Sequence, residues 1–418
     1  MTNEQDRPAL DPLSRDYVAL AFGIERHVSG YVDAYLGPPA VRDEALAGEA
    51  PAPAALLARA RALAVRVAEA DAPEGRVGYL TAQVGAMIAS CRRLAGEALA
   101  YPDEVRLLFD IEPERTPEAV FDGAIAELDG LLPGTGPVAE RMVAWRERLA
   151  IPPETARTLI DALVPELRRR TAGLIELPDG EAVEFRFVQD QPWSGYNWYL
   201  GDARSRVELN TDLPIHADRL TDLLCHEAYP GHHAEHALKE RLYRERGYGE
   251  HAIQLINTPE CVISEGIATL AEGAIFPGDE RFAFRTERVY PLAGLTDLAD
   301  QEREAGIARA LRALRAVPGN AALLLHADGA GEEDVVAYLR RYGLLAEGEA
   351  RQRLRFIADP LWRAYIFTYH AGYDLLGAWL DAGPAAERGA RFRTLLTEQV
   401  SPSQVARWVA DEGAAGLA

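Results

Sequence analysis

Between residues 226 and 236 the chain concentrates four of its nine histidines, and a glutamate follows the first of them. The run reads His226-Glu227-Ala228-Tyr229-Pro230-Gly231-His232-His233. Imidazole and carboxylate groups at this density form a donor set for a divalent cation, Zn2+ above all, although Mn(II), Co(II) and Fe(II) take similar ligands. The common pattern is His-Glu-x-x-His on one helix. Its histidines lie about 40° apart around the axis and ~6 Å apart along it, so both reach one ion. The Glu beside the first His then serves as a general base.

Here the fourth position is Pro230, which cannot ligate. On a regular helix His233 lies ~10.5 Å beyond His226 along the axis, too far to share an ion, and His232 is rotated about 120° away. Pro230 cannot donate to the His226 carbonyl and its ring clashes there, while Gly231 permits a backbone excursion. A turn widened at Pro230-Gly231, as in a π-bulge, absorbs two extra residues and selects His232. His233 stays open as the alternative ligand. The bland reading of the cluster is a solvated, His-rich helix.

A third ligand must come from another element. The segment Ser264-Glu265-Gly266-Ile267-Ala268-Thr269-Leu270-Ala271-Glu272 reads as a helix with apolar residues on most sides. A glutamate on such a buried helix needs a partner. Two His and one Glu, with water in the fourth place, is a known catalytic zinc set. Glu265 is the candidate ligand. Glu272, two turns on and on the same face, is a candidate for orienting a ligand imidazole. Cys225, next to His226, is either a further ligand or nucleophile or simply a small packing residue.

Around these residues the spacing predicts a mainly α protein with a small β element beside the active-site helix. Region 1–175 reads as successive helices, for example through Leu56, Ala60, Leu63 and Val67 and from Pro153 to about Thr171. Region 176–288 holds two strand candidates, 181–188 and 205–210, the His-rich helix and the Glu265 helix. The segment 191–200, rich in Trp and Tyr, reads as an aromatic loop. The strand at 204–210 is a candidate edge for pairing with an extended peptide. Region 289–418 is again helical, with breaks expected at Pro318-Gly319 and Asp328-Gly329.

Composition narrows the function. The net charge of -21 argues against a nucleic-acid partner, which needs a basic footprint, and against an anionic membrane surface. Three cysteines make no disulfide framework. No apolar run is long enough to span a membrane. The N-terminus lacks a basic stretch followed by an apolar run, so the expected location is cytoplasmic.

The motifs HEAYPGHH and SEGIATLAEG resemble those of the bacterial "domain of unknown function 885" family, a zincin-like group related to metallopeptidases. His226, Glu227, Pro230, Gly231 and His232 match its first motif; Glu265, Gly266, Ala268 and Glu272 match its second. Tyr369-His370-Ala371-Gly372 matches a late Tyr-x-x-Gly. Position 235 departs from the family, with Glu where many members have Gln, and the chain is shorter than many. The resemblance implies a large multi-helical, gluzincin-type metallohydrolase. It implies an oxyanion-steadying role for Tyr369, with His370 as rival and a packed helix aromatic as the plain reading. The implied substrate is a small peptide, or else a non-peptide amide or modified amino acid. A non-enzymatic reading is a structural metal site closed by His233, His236 or Cys225.

Overall fold

The computed structural model describes residues 7–191, 195–212 and 214–415. Among the described residues the chain is mainly helical, with three small sheets. The expected helices appear at Pro53–Ala68 and Pro153–Leu174. The six helices that frame the site are α1 (Pro12–Glu25), α2 (Glu74–Leu94), α3 (Ala217–Glu227), α4 (His232–Arg246), α5 (Pro259–Ile275) and α6 (Ile366–Asp381). Among the described residues no helix is long and apolar enough to cross a membrane.

The strands are β1 (Val32–Tyr35), β2 (Ala182–Val188), β3 (Gly195–Gly201), β4 (Arg204–Asn210) and β5 (Ile253–Leu255). A two-residue bridge also pairs Ala150–Ile151 with Ile215–His216. β1 pairs antiparallel with β5. This strand inside the first helical region was not expected. β2, β4 and β3 form a mixed sheet in that order, β2 parallel and β3 antiparallel to β4.

Three expectations change here. The aromatic segment is a strand rather than a loop from Gly195 onward, because its alternating side chains suit a pleat; Pro192, Trp193 and Ser194 lie outside the described residues. Since β4 is flanked on both sides, its backbone groups are already paired and 204–210 offers no edge to a peptide. The edges of this sheet are β2 and β3. The expected break at Pro318-Gly319 falls a little earlier, at the short turn Leu314–Ala316. Pro318 sits in the first turn of the Val317–His326 helix, where no N–H is needed.

The largest hydrophobic core runs from Ala89 to Phe367 and draws on all three sequence regions. α5 lies deep, with Val262, Ile263 and Ile267 fully buried; each contributes about 1.5–3 kcal/mol. α5 packs against α6 through glycines. A Cβ on Gly266 would stand 2.8 Å from the Gly372 carbonyl oxygen, so only glycine lets these backbones meet.

Candidate metal centre

α3 forms because Ala217, Leu220, Thr221, Leu224 and Cys225 recur on one buried face. It stops at Glu227 because Pro230 forces Tyr229 out of the helical region. The Tyr229–Pro230 peptide is cis. The break widens the backbone ladder: Tyr229 N–H donates to Leu224 at 3.3 Å and Gly231 N–H to Cys225 at 2.9 Å. A Cβ at 231 would lie 1.9 Å from the His226 carbonyl oxygen, so the turn admits only glycine. The expected bulge is thus a full break, after which α4 starts afresh at His232.

This places His226 at the end of one helix and His232 at the start of the next. Their rings stand perpendicular with centroids 4.8 Å apart. Glu265 of α5 completes the group: one ligand atom from each of His226, His232 and Glu265 lies within 4.8 Å of the others. His226 Nε2 is 3.6 Å from Glu265 Oε2. Glu265 Oε1 accepts from the Tyr365 hydroxyl at 2.9 Å, while its buried Oε2 has no hydrogen-bond partner. An unpaired buried carboxylate oxygen is costly. One facing two imidazoles is what a cation would satisfy. The donor set fits Zn2+.

The electrostatics agree. Burial, then the charge of His232, push His226 down to about 3, so it is a neutral donor. Burial opposes protonation of His232, but the carboxylates of Glu235, Glu265 and Glu227 outweigh it and raise His232 to about 9. The carboxylates call for positive charge, which a proton on His232 or a divalent cation can supply. Glu227 is pushed up to about 7 by burial, offset by His232 and reinforced by Glu265.

His232 is aimed by a chain the sequence did not reveal. Its Nδ1 is 3.1 Å from Ser264 Oγ, and Ser264 donates to Glu235 Oε2 at 2.6 Å. Lys239 donates to Glu235 at 2.7 Å and to Glu260 at 3.2 Å, and Tyr79 of α2 donates to Glu260 at 2.6 Å. With Nδ1 engaged, Nε2 is left for the ion. Against burial, Lys239 and His232 hold Glu235 well below the usual carboxylate range.

Several expected roles move. His233 is buried and turned toward the sheet, with Nδ1 2.8 Å from Ser205 Oγ and Nε2 2.9 Å from Glu181 Oε2. It is therefore outside the ligand group. Cys225 is a buried free thiol in the core, and His236 meets Gln254 at 2.9 Å; neither joins the group. Glu272 gives both carboxylate oxygens to Arg285, which also donates to Glu304 at 3.0 Å. It anchors Arg285 instead of an imidazole.

Tyr369 and His370 separate on α6. The Tyr369 hydroxyl is driven well above its ordinary value by burial and then by the charges of Glu265 and Glu227. Its ring lies 5.8 Å from Tyr365. His370 packs on Phe367 and against Gly319, where an added Cβ would stand 2.6 Å from its ring. From the sheet side, Asn197 of β3 donates to the Glu227 carbonyl at 2.6 Å. Tyr365 had one sequence signal, its place one turn before Tyr369.

With the geometry in view, comparison with known proteins speaks to the fold. No family model matches the chain. No curated protein matches it. A solved "putative lipoprotein" from Colwellia psychrerythraea is similar at 17% identity and TM-score 0.52, covering 98% of this chain and 77% of that one. A "putative lipoprotein of unknown function" from Shewanella oneidensis aligns at 12% identity and TM-score 0.49, covering 88% and 76%. The first likeness extends over nearly the whole helical architecture.

Proposed function

We propose that this chain is a zincin-like, zinc-dependent hydrolase related to the "domain of unknown function 885" family, acting on the amide bonds of small peptides. The observation that carries this is the group of His226, His232 and Glu265 with Glu227 beside it, in which Glu265 Oε2 is buried and unpaired. Zn2+ bound there supplies Lewis acidity toward water and a carbonyl oxygen.

The chain's own residues do the rest. Glu227, with a pKa near neutrality, takes the proton of the attacking water and passes it to the leaving amine. Tyr369, held protonated, donates to the oxyanion. β3 offers an edge to an extended substrate beside Glu227: a Cβ on Gly195 would stand 3.3 Å from Glu227 Oε1. The absence of Cys225, His233 and His236 from the ligand group argues against a structural site closed by four protein ligands.

We read the location as cytoplasmic; the fold likeness to a "putative lipoprotein" makes the cell envelope the rival, and fractionation decides. The reaction is tested by offering zinc-loaded protein a panel of di- and tripeptides beside N-acyl amino acids. Turnover of peptides that is abolished in Glu227→Gln supports the reading. Turnover of N-acyl amino acids alone would shift it to an amidase.

A further inference from the structure

Beyond His226 stand Arg315, Arg312 and Arg219, and the carboxylates their charge reaches are Asp222 and Asp374. Arg315, in a short turn at Leu314–Ala316, lays its guanidinium 4.4 Å over the Tyr373 ring. Tyr373 is one turn after Tyr369 on α6, so Arg315 stands on the same stripe as the proposed oxyanion donor. Arg312 approaches that ring too, at 5.7 Å.

Arg315 Nη1 is buried and has no hydrogen-bond partner. Among the described residues no carboxylate reaches ion-pair distance of it. The carboxylate that its charge meets most strongly is Asp222, one turn before His226 on α3. Asp222 is already paired with Arg219 at 3.2 Å. The charges of Arg315 and Arg219 both reach His226. A buried guanidinium nitrogen with an idle donor is uncommon and calls for a partner.

We infer that Arg315, backed by Arg312 and Arg219, binds a carboxylate of the substrate beside the metal centre. Guanidinium is the side chain suited to this, since its planar fork takes a carboxylate through two parallel N–H donors. The inference rests on the hydrolase reading for its setting and adds the substrate class: peptides or amides that carry a free carboxylate near the cleaved bond.

The test is calorimetric binding of three probes to zinc-loaded protein. They are N-acetyl-Gly-Phe, with a terminal carboxylate; its C-terminal amide, with none; and N-acetyl-Gly-Glu-amide, with a side-chain carboxylate. At least one acid should bind roughly 10- to 100-fold tighter than the neutral amide. The acid that wins identifies the source of the carboxylate.

Arg315→Met should remove the preference while zinc content and the binding of the neutral amide stay unchanged. Arg315→Lys, which keeps the charge and loses the fork, should retain part of it. Equal binding of acids and amide, or no binding of any probe, would overturn the inference. So would an Arg315→Met protein that weakens all three alike. Selective, Arg315-dependent binding without cleavage would leave the subsite standing and remove the hydrolase reading. Cleavage with a preference untouched by Arg315→Met would do the reverse.

Discussion

Gly266 and Gly372 meet backbone to backbone: a Cβ on Gly372 would stand 3.0 Å from the Gly266 nitrogen and 2.5 Å from the Val262 carbonyl oxygen. That contact sets Glu265, the residue before Gly266, against Tyr365 and Tyr369, which lie two turns and one turn before Gly372. The glycines of the two motifs therefore act as spacers that fix a ligand opposite its hydrogen-bond donor.

Gly372→Ala should force α6 off α5. Overpacking of this kind costs about 1–3 kcal/mol, and the displaced Tyr365 should loosen Glu265. Denaturant unfolding and zinc affinity should both fall in this variant. Unchanged values in both would show that the helices do not need the close approach.

Ser264→Ala should weaken zinc binding about 10- to 100-fold, as loss of a ligand's hydrogen-bond partner does. Here it leaves His232 Nδ1 and Glu235 Oε2 both without their shared partner. Ser264→Thr, which keeps the hydroxyl, should restore most of the affinity. Chelator competition reads both. An Ala variant that matches the wild type would remove Ser264 from the account.

Zinc uptake should release protons. In the protein alone His232 is protonated up to about 9, and a ligand imidazole must be neutral. Apparent affinity should therefore rise with pH through the neutral range and level off above pH 9. Proton release measured in weak buffer during a zinc titration checks the sign. Uptake with no proton release would contradict the placement of His232 among carboxylates.

Away from the site, Arg76 of α2 donates to the buried Glu250 at 2.8 Å and ties it to Ser14 of α1. Burial alone would raise the Glu250 pKa, yet Arg76 and its neighbours hold it below 4.5. The folded pKa thus lies below the unfolded one. The stabilisation is complete above pH 4.5 and is lost as pH falls through the folded value. Arg76→Met should cost about 3–5 kcal/mol at neutral pH, because it strands a buried charge. The gap from wild type should narrow below pH 4.5, as Glu250 protonates. Urea unfolding at pH 7 and pH 4 measures it.

The grouping of His226, His232 and Glu265 was legible because its evidence is local. Residue types, a Pro-Gly interruption and a buried Glu are all visible along one strand of text, and so were the helix periodicities. What escaped is tertiary. Glu272 shares a helix face with Glu265, but two turns carry it ~10.5 Å away, where it meets Arg285. The Ser264–Glu235 relay crosses between α4 and α5, so no spacing announces it. β3 looked like a loop because alternating aromatics and small residues suit both states. His233 was left open because helix phase after a break depends on how the second helix docks. Its burial against Glu181 and Ser205 decides that phase.

His226, His232 and Glu265 are proposed to hold one Zn2+ ion. This is tested most directly by zinc titration of the wild type against His226→Ala, His232→Ala, Glu265→Gln and His233→Ala. One tightly bound ion is expected in the wild type and in His233→Ala, with a large loss of affinity in each of the other three. Full zinc binding by His232→Ala, or its loss in His233→Ala alone, would contradict it.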